Sequence, residues 1–381
     1  MSKEIVVIVK NKLITTDVVL PILIELKEKH NTSSLILVHD ELAYKGINEN
    51  VVIRDAIDYV GRKIYVGGGK HKLFRKIIKL FWLSNLAFKL LTGSKVLHFG
   101  IFEVFPYSIL GKIFAKNIFM LQGNSFTHSY KRYNKLLGKK AVPHKKHYIS
   151  KNVVLFNDND FKGVLDDNCR VYKFGGTRIR PVWMNYVNAR SEYYFNKYHS
   201  DIDLSNGCIV LILSYFGRLP AMRLPDESLK ILLGKTIEVF DSVKGDIPVL
   251  IKPHVFTDLN IVDEYIKGKS GYHMTYLHPS VLSTKAKVFV CNTYSTTMAD
   301  ANFSGVKTIE YADYSSNLLK ISKGRSVGYQ YIDEFIINNQ GEFKKTLKEI
   351  LYNSSDKLLR NSSIINGAHT DAEELLIKLS N

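Results

Sequence analysis

Short runs of β-branched and other apolar residues alternate with helix-like segments along this chain, and the whole alternation occurs twice. It first runs from KEIVVIVKN near the amino terminus through SLILVHD and KVLHFG to KNVVLFND, and it restarts at GCIVLILSYF. Short buried strands that alternate with helices are typical of parallel sheets with crossover helices. Polar residues gather after the strand ends, where open sheets bind ligands, which favours two open sheets over one closed barrel. The sequence therefore predicts an α/β protein with two Rossmann-like domains.

The chain of 381 residues is long enough for each of two domains to bury a core of its own. We predict an N-terminal domain over residues 1–195 and a C-terminal domain over residues 205–340. The boundary is expected between Val187 and Asn206, in a polar stretch rich in aromatic residues. Residues 341–381 are predicted to form helices that pack back on the first domain.

Composition excludes several classes of protein. Hydrophobic residues make up 45% and charged residues 23% of the chain, the balance of a folded soluble protein. The three cysteines are far apart and odd in number, which excludes a disulfide framework and a cysteine-based zinc cluster and fits a reducing compartment. No apolar run approaches the roughly 18 residues of a membrane-spanning helix, and we identify no signal peptide. We expect a cytoplasmic protein.

The net charge of +17 comes from one segment. Between Tyr59 and Asn157 there are 19 Lys and Arg residues and a single acidic residue, Glu103, so this segment carries +18 and the rest of the chain −1. A local positive field of this size attracts phospholipid head groups, nucleic acid, or an acidic glycan or nucleotide sugar. The alternative is a solvated basic surface that keeps the protein soluble.

Within this segment, residues 70–91 form an amphipathic pattern of helical period. Four basic residues fall at i, i+3, i+4 and i+7 and form one stripe: Lys72, Arg75, Lys76 and Lys79. Such a helix can lie in a membrane interface, with its basic stripe at anionic head groups and its aromatic residues at the acyl boundary. It can equally be a crossover helix that buries its apolar face against the sheet. Both interpretations stay open at this stage.

Two familiar cofactor motifs are missing. VGGGKHK, at residues 66–72, lacks the spacing of a phosphate loop and has no hydroxyl for a magnesium ion, so we interpret it as a tight turn. No G-x-G-x-x-G follows the first strand. The sequence therefore predicts neither a dinucleotide cofactor nor a bound metal.

Polar clusters follow three strands of the second domain. Lys252, Pro253 and His254 end the strand IPVLIKPH, and His278 ends TYLHP. KVFVCNTYSTT then leads into the hydroxyl cluster 295–297, that is Ser295, Thr296 and Thr297, at a helix start, where backbone N–H groups form an anion site that suits a phosphate. Helix capping is the alternative for the hydroxyls, and an ordinary core or surface position is the alternative for each histidine. Their recurrence at successive strand ends favours one ligand site.

The order of these motifs, ending in SGVKTIEY, resembles the C-terminal domain of bacterial GT-B glycosyltransferases that use cytidine-activated donors. These include CMP-nonulosonate and CMP-Kdo transferases and CDP-glycerol or CDP-ribitol polymerases. The resemblance covers about residues 208–311 and implies a GT-B architecture with the active site in the interdomain cleft. It further implies that His254 and His278 contact the donor phosphate or stabilise the leaving nucleotide, that Lys252 adds positive charge, and that residues 295–297 cradle the phosphate.

The first domain matches less closely, because the D/E-D-G motif that sialyltransferases often carry is missing there. FMLQGNS, with Gln122 and Gly123 after a strand, is only loosely similar to the glycine loops of the superfamily, and Gln122 is a candidate acceptor contact together with the basic stripe. An inverting transferase needs a general base, and Glu103, the sole carboxylate of the basic segment, is our candidate. A structural ion pair is its alternative role, and His98 and Asp158 are the reserve candidates.

We therefore expect a metal-independent glycosyltransferase. It would transfer an acidic sugar, such as a sialic acid, another nonulosonate or Kdo, from a CMP-activated donor to an anionic glycan or glycolipid during bacterial capsule or lipopolysaccharide synthesis. The protein would work in the cytoplasm or peripherally on the inner face of the cytoplasmic membrane. A CDP-alditol phosphotransferase of teichoic-type polymer synthesis is the first alternative. A non-enzymatic protein that binds nucleic acid or another polyanion is the second, although no nucleic-acid-binding motif occurs.

Overall fold

The structure of the protein is a computed structural model that describes residues 4–10, 14–68, 72–122, 150–156, 168–213, 226–254, 257–353 and 371–381. The described residues form two compact units. The first unit holds those of residues 4–185 and 371–381, and the second unit holds those of residues 186–353.

The first unit is built on a parallel sheet whose strands follow the order β3-β2-β1-β4-β5-β6-β7. Its strands are β1 (Glu4–Val9), β2 (Ser33–Val38), β3 (Gly61–Tyr65), β4 (Val96–His98), β5 (Ile118–Gln122), β6 (Asn152–Leu155) and β7 (Arg170–Lys173). Its helices are α1 (Ile14–His30), α2 (Glu41–Glu49), α3 (Val51–Val60), α4 (Lys72–Leu91), α5 (Tyr107–Ile113) and α14 (Asp371–Ser380). Helix α6 (Pro181–Asn188) spans the division between the units.

The strand order decides which face of the first sheet each helix covers. The chain moves from β1 to β2 to β3 in one direction and from β3 to β4 to β5 in the other. Because crossovers between parallel strands are nearly always right-handed, α1, α2 and α3 lie on one face and α4 and α5 on the opposite face. Leu86 and Leu90 of α4 accordingly pack with Val6 and Ile8 of β1 in one apolar cluster.

The second unit contains another parallel sheet, with the order β10-β9-β8-β11-β12-β13. Its strands are β8 (Cys208–Ile212), β9 (Val249–Lys252), β10 (Tyr272–Met274), β11 (Ala286–Cys291), β12 (Lys307–Ala312) and β13 (Glu334–Ile337). Its helices are α7 (Ser191–Tyr198), α8 (Asp226–Val243), α9 (Leu259–Ile266), α10 (Pro279–Lys285), α11 (Met298–Phe303), α12 (Ser316–Ser322) and α13 (Gln340–Asn353). The same handedness rule places α8 and α9 on one face and α10 and α11 on the other.

The two helices that follow β13 pack in different units. Helix α14 contacts α1 and β7 in the first unit. Helix α13 instead packs on α8, because Phe343 and Leu347 are fully buried in the core of the second unit. The second core thus extends beyond the last strand of its sheet.

Short polar side chains cap the N-termini of several of these helices. Asp40 caps α2 by accepting the N–H of Ala43 at 2.9 Å, and Asn50 caps α3 by accepting the N–H of Ile53 at 3.2 Å. Such caps satisfy N–H groups that have no partner inside the helix. Local sequence therefore sets these helix starts, while the apolar strands set the sheets.

Candidate functional site

The polar clusters of the second unit lie at one edge of its sheet, because all the carboxyl ends of parallel strands meet there. Ile212 of β8 pairs with Lys252 of β9 on one side and with Cys291 of β11 on the other. Cys291 in turn pairs with Glu310 of β12. The clusters after β9 and β11 are thus two strands apart, or about 10 Å.

The cluster after β9 contains two basic groups in different environments. Lys252 is half-buried, and its carbonyl accepts the N–H of Leu213 at 3.0 Å. His254 is exposed, and its backbone N–H donates to the hydroxyl of Thr257 at 2.9 Å.

His278 is the N-cap residue of α10 and is only 1% exposed. Its Nδ1 accepts the N–H of Ser280 at 3.2 Å, so Nδ1 is unprotonated and the neutral ring carries its proton on Nε2. The side chain therefore caps α10 from a buried position. Its contact with a donor phosphate stays a prediction, and any such contact would involve Nε2.

The hydroxyl cluster 295–297 forms a half-buried turn before α11. The Ser295 hydroxyl accepts the N–H of Thr297 at 3.3 Å, and the Ser295 carbonyl accepts the N–H of Met298 at 3.0 Å. Helices α10 and α11 are joined through Ser280, whose hydroxyl donates to Asp300 at 3.0 Å. The HP and STT motifs are thus held in one fixed arrangement.

A buried carboxyl group, Glu310 of β12, supports this turn and was not among the residues predicted from the sequence. Its Oε1 accepts the Tyr314 hydroxyl at 2.6 Å and its Oε2 accepts the Ser326 hydroxyl, while the backbone N–H of Tyr294 also donates to the carboxylate. Complete burial raises the pKa of Glu310 to about 7. Because Tyr294 directly precedes Ser295, Glu310 anchors the start of the hydroxyl turn.

Tyr294 is also fixed from its other side. A Cβ at Gly328 would lie 1.9 Å from ring atoms of Tyr294, so only a glycine allows the ring to approach so closely. The sequence does contain a signal for this network, since Glu310 is a carboxylate between Ile309 and Tyr311 in the strand KTIEYA. Its partners could not be inferred, because Ser326 lies 16 residues away.

In the first unit, Glu103 belongs to a chain of hydrogen bonds that begins at His98. The N–H of Gly100 donates to Nδ1 of His98 at 3.0 Å, so the neutral ring carries its proton on Nε2. That nitrogen lies 3.2 Å from the Ser150 hydroxyl, which donates to Oε1 of Glu103 at 2.8 Å. The hydrogen bonds are therefore directed from His98 to Ser150 and from Ser150 to the Glu103 carboxylate.

The residues in this chain of hydrogen bonds differ in the chemistry that they can perform. His98 is fully buried, and burial lowers the pKa of its imidazole to about 3, so it stays neutral and orients Ser150. Glu103 is half-buried in a 3-10 turn after β4 and accepts two hydrogen bonds from Ser150. Ser150 was not predicted from the sequence, and Asp158 lies outside the described residues.

The basic stripe lies on α4, where Lys76 and Lys79 are both exposed. The side chains of Lys72, Arg75 and Gln122 lie outside the described part of the structure. Across the described ranges, no group of His, Cys, Asp and Glu side chains is arranged to hold a metal ion. Nor does the described part of the chain contain a helix of the length and apolar character that crossing a membrane requires.

No protein-family model and no curated protein matches this chain. Among solved structures it is similar to a UDP-GlcNAc 2-epimerase from Neisseria meningitidis bound to UDP-GlcNAc, with 10% identity over 99% of each chain and a TM-score of 0.52. It is also similar to the Methanocaldococcus jannaschii UDP-GlcNAc 2-epimerase in complex with UDP-GlcNAc and UDP, with 13% identity over 98% of this chain and 99% of that one and a TM-score of 0.50. At such identities the likeness concerns the fold, and it confirms the predicted pair of Rossmann-like domains of the GT-B type.

Proposed function

We propose that this protein is a glycosyltransferase that transfers an acidic sugar from a CMP-activated donor to a glycan acceptor in the assembly of a bacterial surface polysaccharide. The observation that carries the proposal is the carboxyl edge of the second sheet, where Lys252 ends β9, His254 follows it, and the hydroxyl cluster 295–297 follows β11. Positive charge and hydroxyl donors suit a phosphate. The order of the motifs supports cytidine as the base.

The transfer needs a stabilised leaving group. The acceptor oxygen attacks the anomeric carbon, the bond from that carbon to the phosphate oxygen breaks, and CMP leaves with the bonding electrons. Lys252, the His254 imidazole and the hydroxyls of the cluster 295–297 would stabilise the negative charge that develops on the phosphate. These groups would do so without a metal ion, and an excess of chelator should therefore leave the transfer rate unchanged.

The transfer also needs a group that accepts the proton of the acceptor hydroxyl. Glu103 is the proposed general base, because it is a half-buried carboxylate whose orientation is set by two hydrogen bonds from Ser150. His98 supports this orientation from the core through the same serine. The buried histidine would thus act as a positioning residue and not as the base.

A second candidate follows from the similar structures, which are UDP-GlcNAc 2-epimerases with bound UDP-GlcNAc. In this case the chain would act on a UDP-sugar and would need no acceptor. Incubation with UDP-GlcNAc alone, followed by separation of the two sugar epimers, tests this activity directly. Product formed without an acceptor would replace the transferase proposal by the epimerase.

The nucleotide itself is tested by thermal unfolding with CMP, CDP, UDP, GDP and ADP in the presence of chelator. A ligand at 100 times its dissociation constant stabilises the native state by about 2.7 kcal/mol, so specific binding raises the melting temperature measurably. We expect CMP or CDP to give the largest shift, and the shift to fall in the double variant Lys252→Ala/His254→Ala. Lys348→Ala, an exposed lysine on α13, is the matched control. Equal shifts for all five nucleotides, or a preference for UDP, would refute the cytidine assignment.

A further inference from the structure

Exposed apolar side chains are concentrated in one short part of the first unit. Of the 21 large hydrophobic residues that are exposed in the described chain, 11 lie between residues 73 and 113. Most of the others are tyrosines, whereas these are Leu, Ile, Phe and Val side chains without a polar atom. A soluble surface rarely gathers so many apolar groups unless something covers them.

Most of these side chains form the outer side of α4. The exposed residues there are Leu73, Phe74, Ile77, Leu80, Phe81, Phe88 and Leu91. The spacing of Leu73, Ile77, Leu80, Phe88 and Leu91 follows the helical period and produces one stripe along the helix. Leu86 and Leu90 point instead into the apolar cluster under the helix. Helix α4 therefore has two apolar faces, one buried against the sheet and one exposed.

The segment around α5 adds to the same side of the unit. Val104, Phe105, Ile109 and Ile113 are exposed, and Phe105 is 79% exposed at the turn before the helix. Helix α5 packs through Leu110 on the same cluster as α4, and both helices cover the same face of the sheet. We call the exposed apolar residues of α4, of the turn and of α5 the apolar outer surface.

The charges around the apolar outer surface are almost all positive. Over residues 72–122 the sequence has eight Lys and Arg residues and one carboxylate, Glu103. Lys76, Lys79, Lys112 and Lys116 are exposed beside the apolar residues. An anionic lipid bilayer complements both properties, because acyl chains take up the apolar side chains and head groups attract the lysines. A second copy of this surface would bring like charges together.

We propose that the apolar outer surface binds an anionic membrane, with α4 lying in the plane of the interface and Phe105 entering the acyl boundary. The inference goes beyond the proposed function, since it concerns where the protein works and holds whatever reaction the second unit supports. It also combines the two interpretations of the basic helix, because α4 packs on the sheet and would present a separate surface to lipid.

Binding is tested by flotation of the full chain with vesicles of phosphatidylcholine alone or mixed with an equal amount of phosphatidylglycerol. The wild-type protein should bind the mixed vesicles, and binding should weaken as salt shortens the Debye length below about 10 Å. Leu80→Glu/Phe81→Glu should reduce binding at least tenfold without altering the circular dichroism spectrum, because both residues are more than 60% exposed. Ile231→Glu/Tyr352→Glu, at exposed apolar positions of the second unit, should bind as the wild type does.

Insertion is tested separately with tryptophan probes. In a Trp82→Phe background, where the remaining Trp183 is fully buried, the fluorescence of Phe105→Trp should shift to the blue on mixed vesicles and should be quenched by brominated acyl chains. Tyr352→Trp in the same background should show neither change. Lys76→Glu/Lys79→Glu should weaken binding more than Lys345→Glu/Lys348→Glu, a pair with the same spacing on α13.

Three results would overturn the proposal. The first is a wild-type protein that does not bind mixed vesicles, and the second is a Leu80→Glu/Phe81→Glu variant that binds them as the wild type does. The third is a dimer in sedimentation velocity that this variant dissociates, since the apolar outer surface would then be an interface between two copies of the chain. None of these results concerns nucleotide binding, so the test is independent of the proposed function.

Discussion

Replacement of Glu310 by glutamine tests whether a buried carboxyl group makes the second unit less stable as the pH rises. Burial raises the pKa of this group from 4.5 to about 7 in the folded protein. The folded state therefore binds the proton more tightly than the unfolded chain does. Between pH 4.5 and pH 7 the unfolded chain has lost this proton while the folded protein still holds it, so the free energy of unfolding falls as the pH increases.

The magnitude follows from the two pKa values. At about 1.4 kcal/mol per pH unit, the separation corresponds to about 3 kcal/mol, lost progressively between pH 4.5 and pH 7 and constant above that range. Glutamine keeps the shape and has no charge to bury. Its carbonyl oxygen can accept the hydroxyl of Tyr314, and its amide can donate to the oxygen of Ser326. Glu310→Gln should therefore remove this part of the pH dependence.

The assay must report on the second unit. Both tryptophans, Trp82 and Trp183, belong to the first unit, so intrinsic fluorescence would follow the wrong part of the chain. Hydrogen exchange of a peptide that spans β12 is the suitable measurement, with the variant and the wild type compared at each pH so that the intrinsic exchange rates cancel. From pH 5 to pH 8, the stability of Glu310→Gln relative to the wild type should increase by about 2 to 3 kcal/mol.

A constant difference between the two proteins over this pH range would refute the reasoning. It would mean that Glu310 does not change its protonation state there. A large loss of stability in the variant at every pH would instead show that the carboxylate is needed as an acceptor for the Tyr294 N–H. Urea unfolding followed by circular dichroism, in which both units contribute, provides the comparison for the whole chain.

The remaining predictions concern the two predicted histidines and the chain of hydrogen bonds at Glu103. His254→Ala should lower the transfer rate about 100-fold with little change in melting temperature, since the side chain is exposed and would act on the leaving phosphate; an unchanged rate would remove it from the site. His278→Ala should lower the stability by about 1 kcal/mol through loss of a helix cap, measured by urea unfolding. Glu103→Gln should retain donor binding and lose most of the transfer rate at saturating donor, and near-normal transfer would exclude it as the base. Ser150→Ala should reduce the rate less than Glu103→Gln and leave nucleotide affinity unchanged, because Ser150 only orients the carboxylate.

The amino-acid sequence determined the fold class through local patterns. Runs such as IVVIV and VFVC are apolar at every position, which suits strands buried on both faces of a parallel sheet and leaves few other arrangements. The placement of polar motifs after strand ends then located the edge at which Lys252, His254 and the hydroxyl cluster 295–297 lie, because all parallel strands end on the same side. These conclusions need only the neighbours of each residue along the chain.

The tertiary structure decided which distant side chains meet and which apolar faces are covered. His98 and Ser150 are 52 residues apart. Glu310 of β12 contacts Ser326, which lies between α12 and β13. The local sequence pattern therefore predicts neither contact. The amphipathic helix shows the same limit, since its sequence contains apolar residues on two sides and only packing determines that Leu90 is buried and Leu80 exposed. Periodicity reports the direction of a side chain relative to its own helix or strand, whereas burial depends on what the rest of the chain places against it.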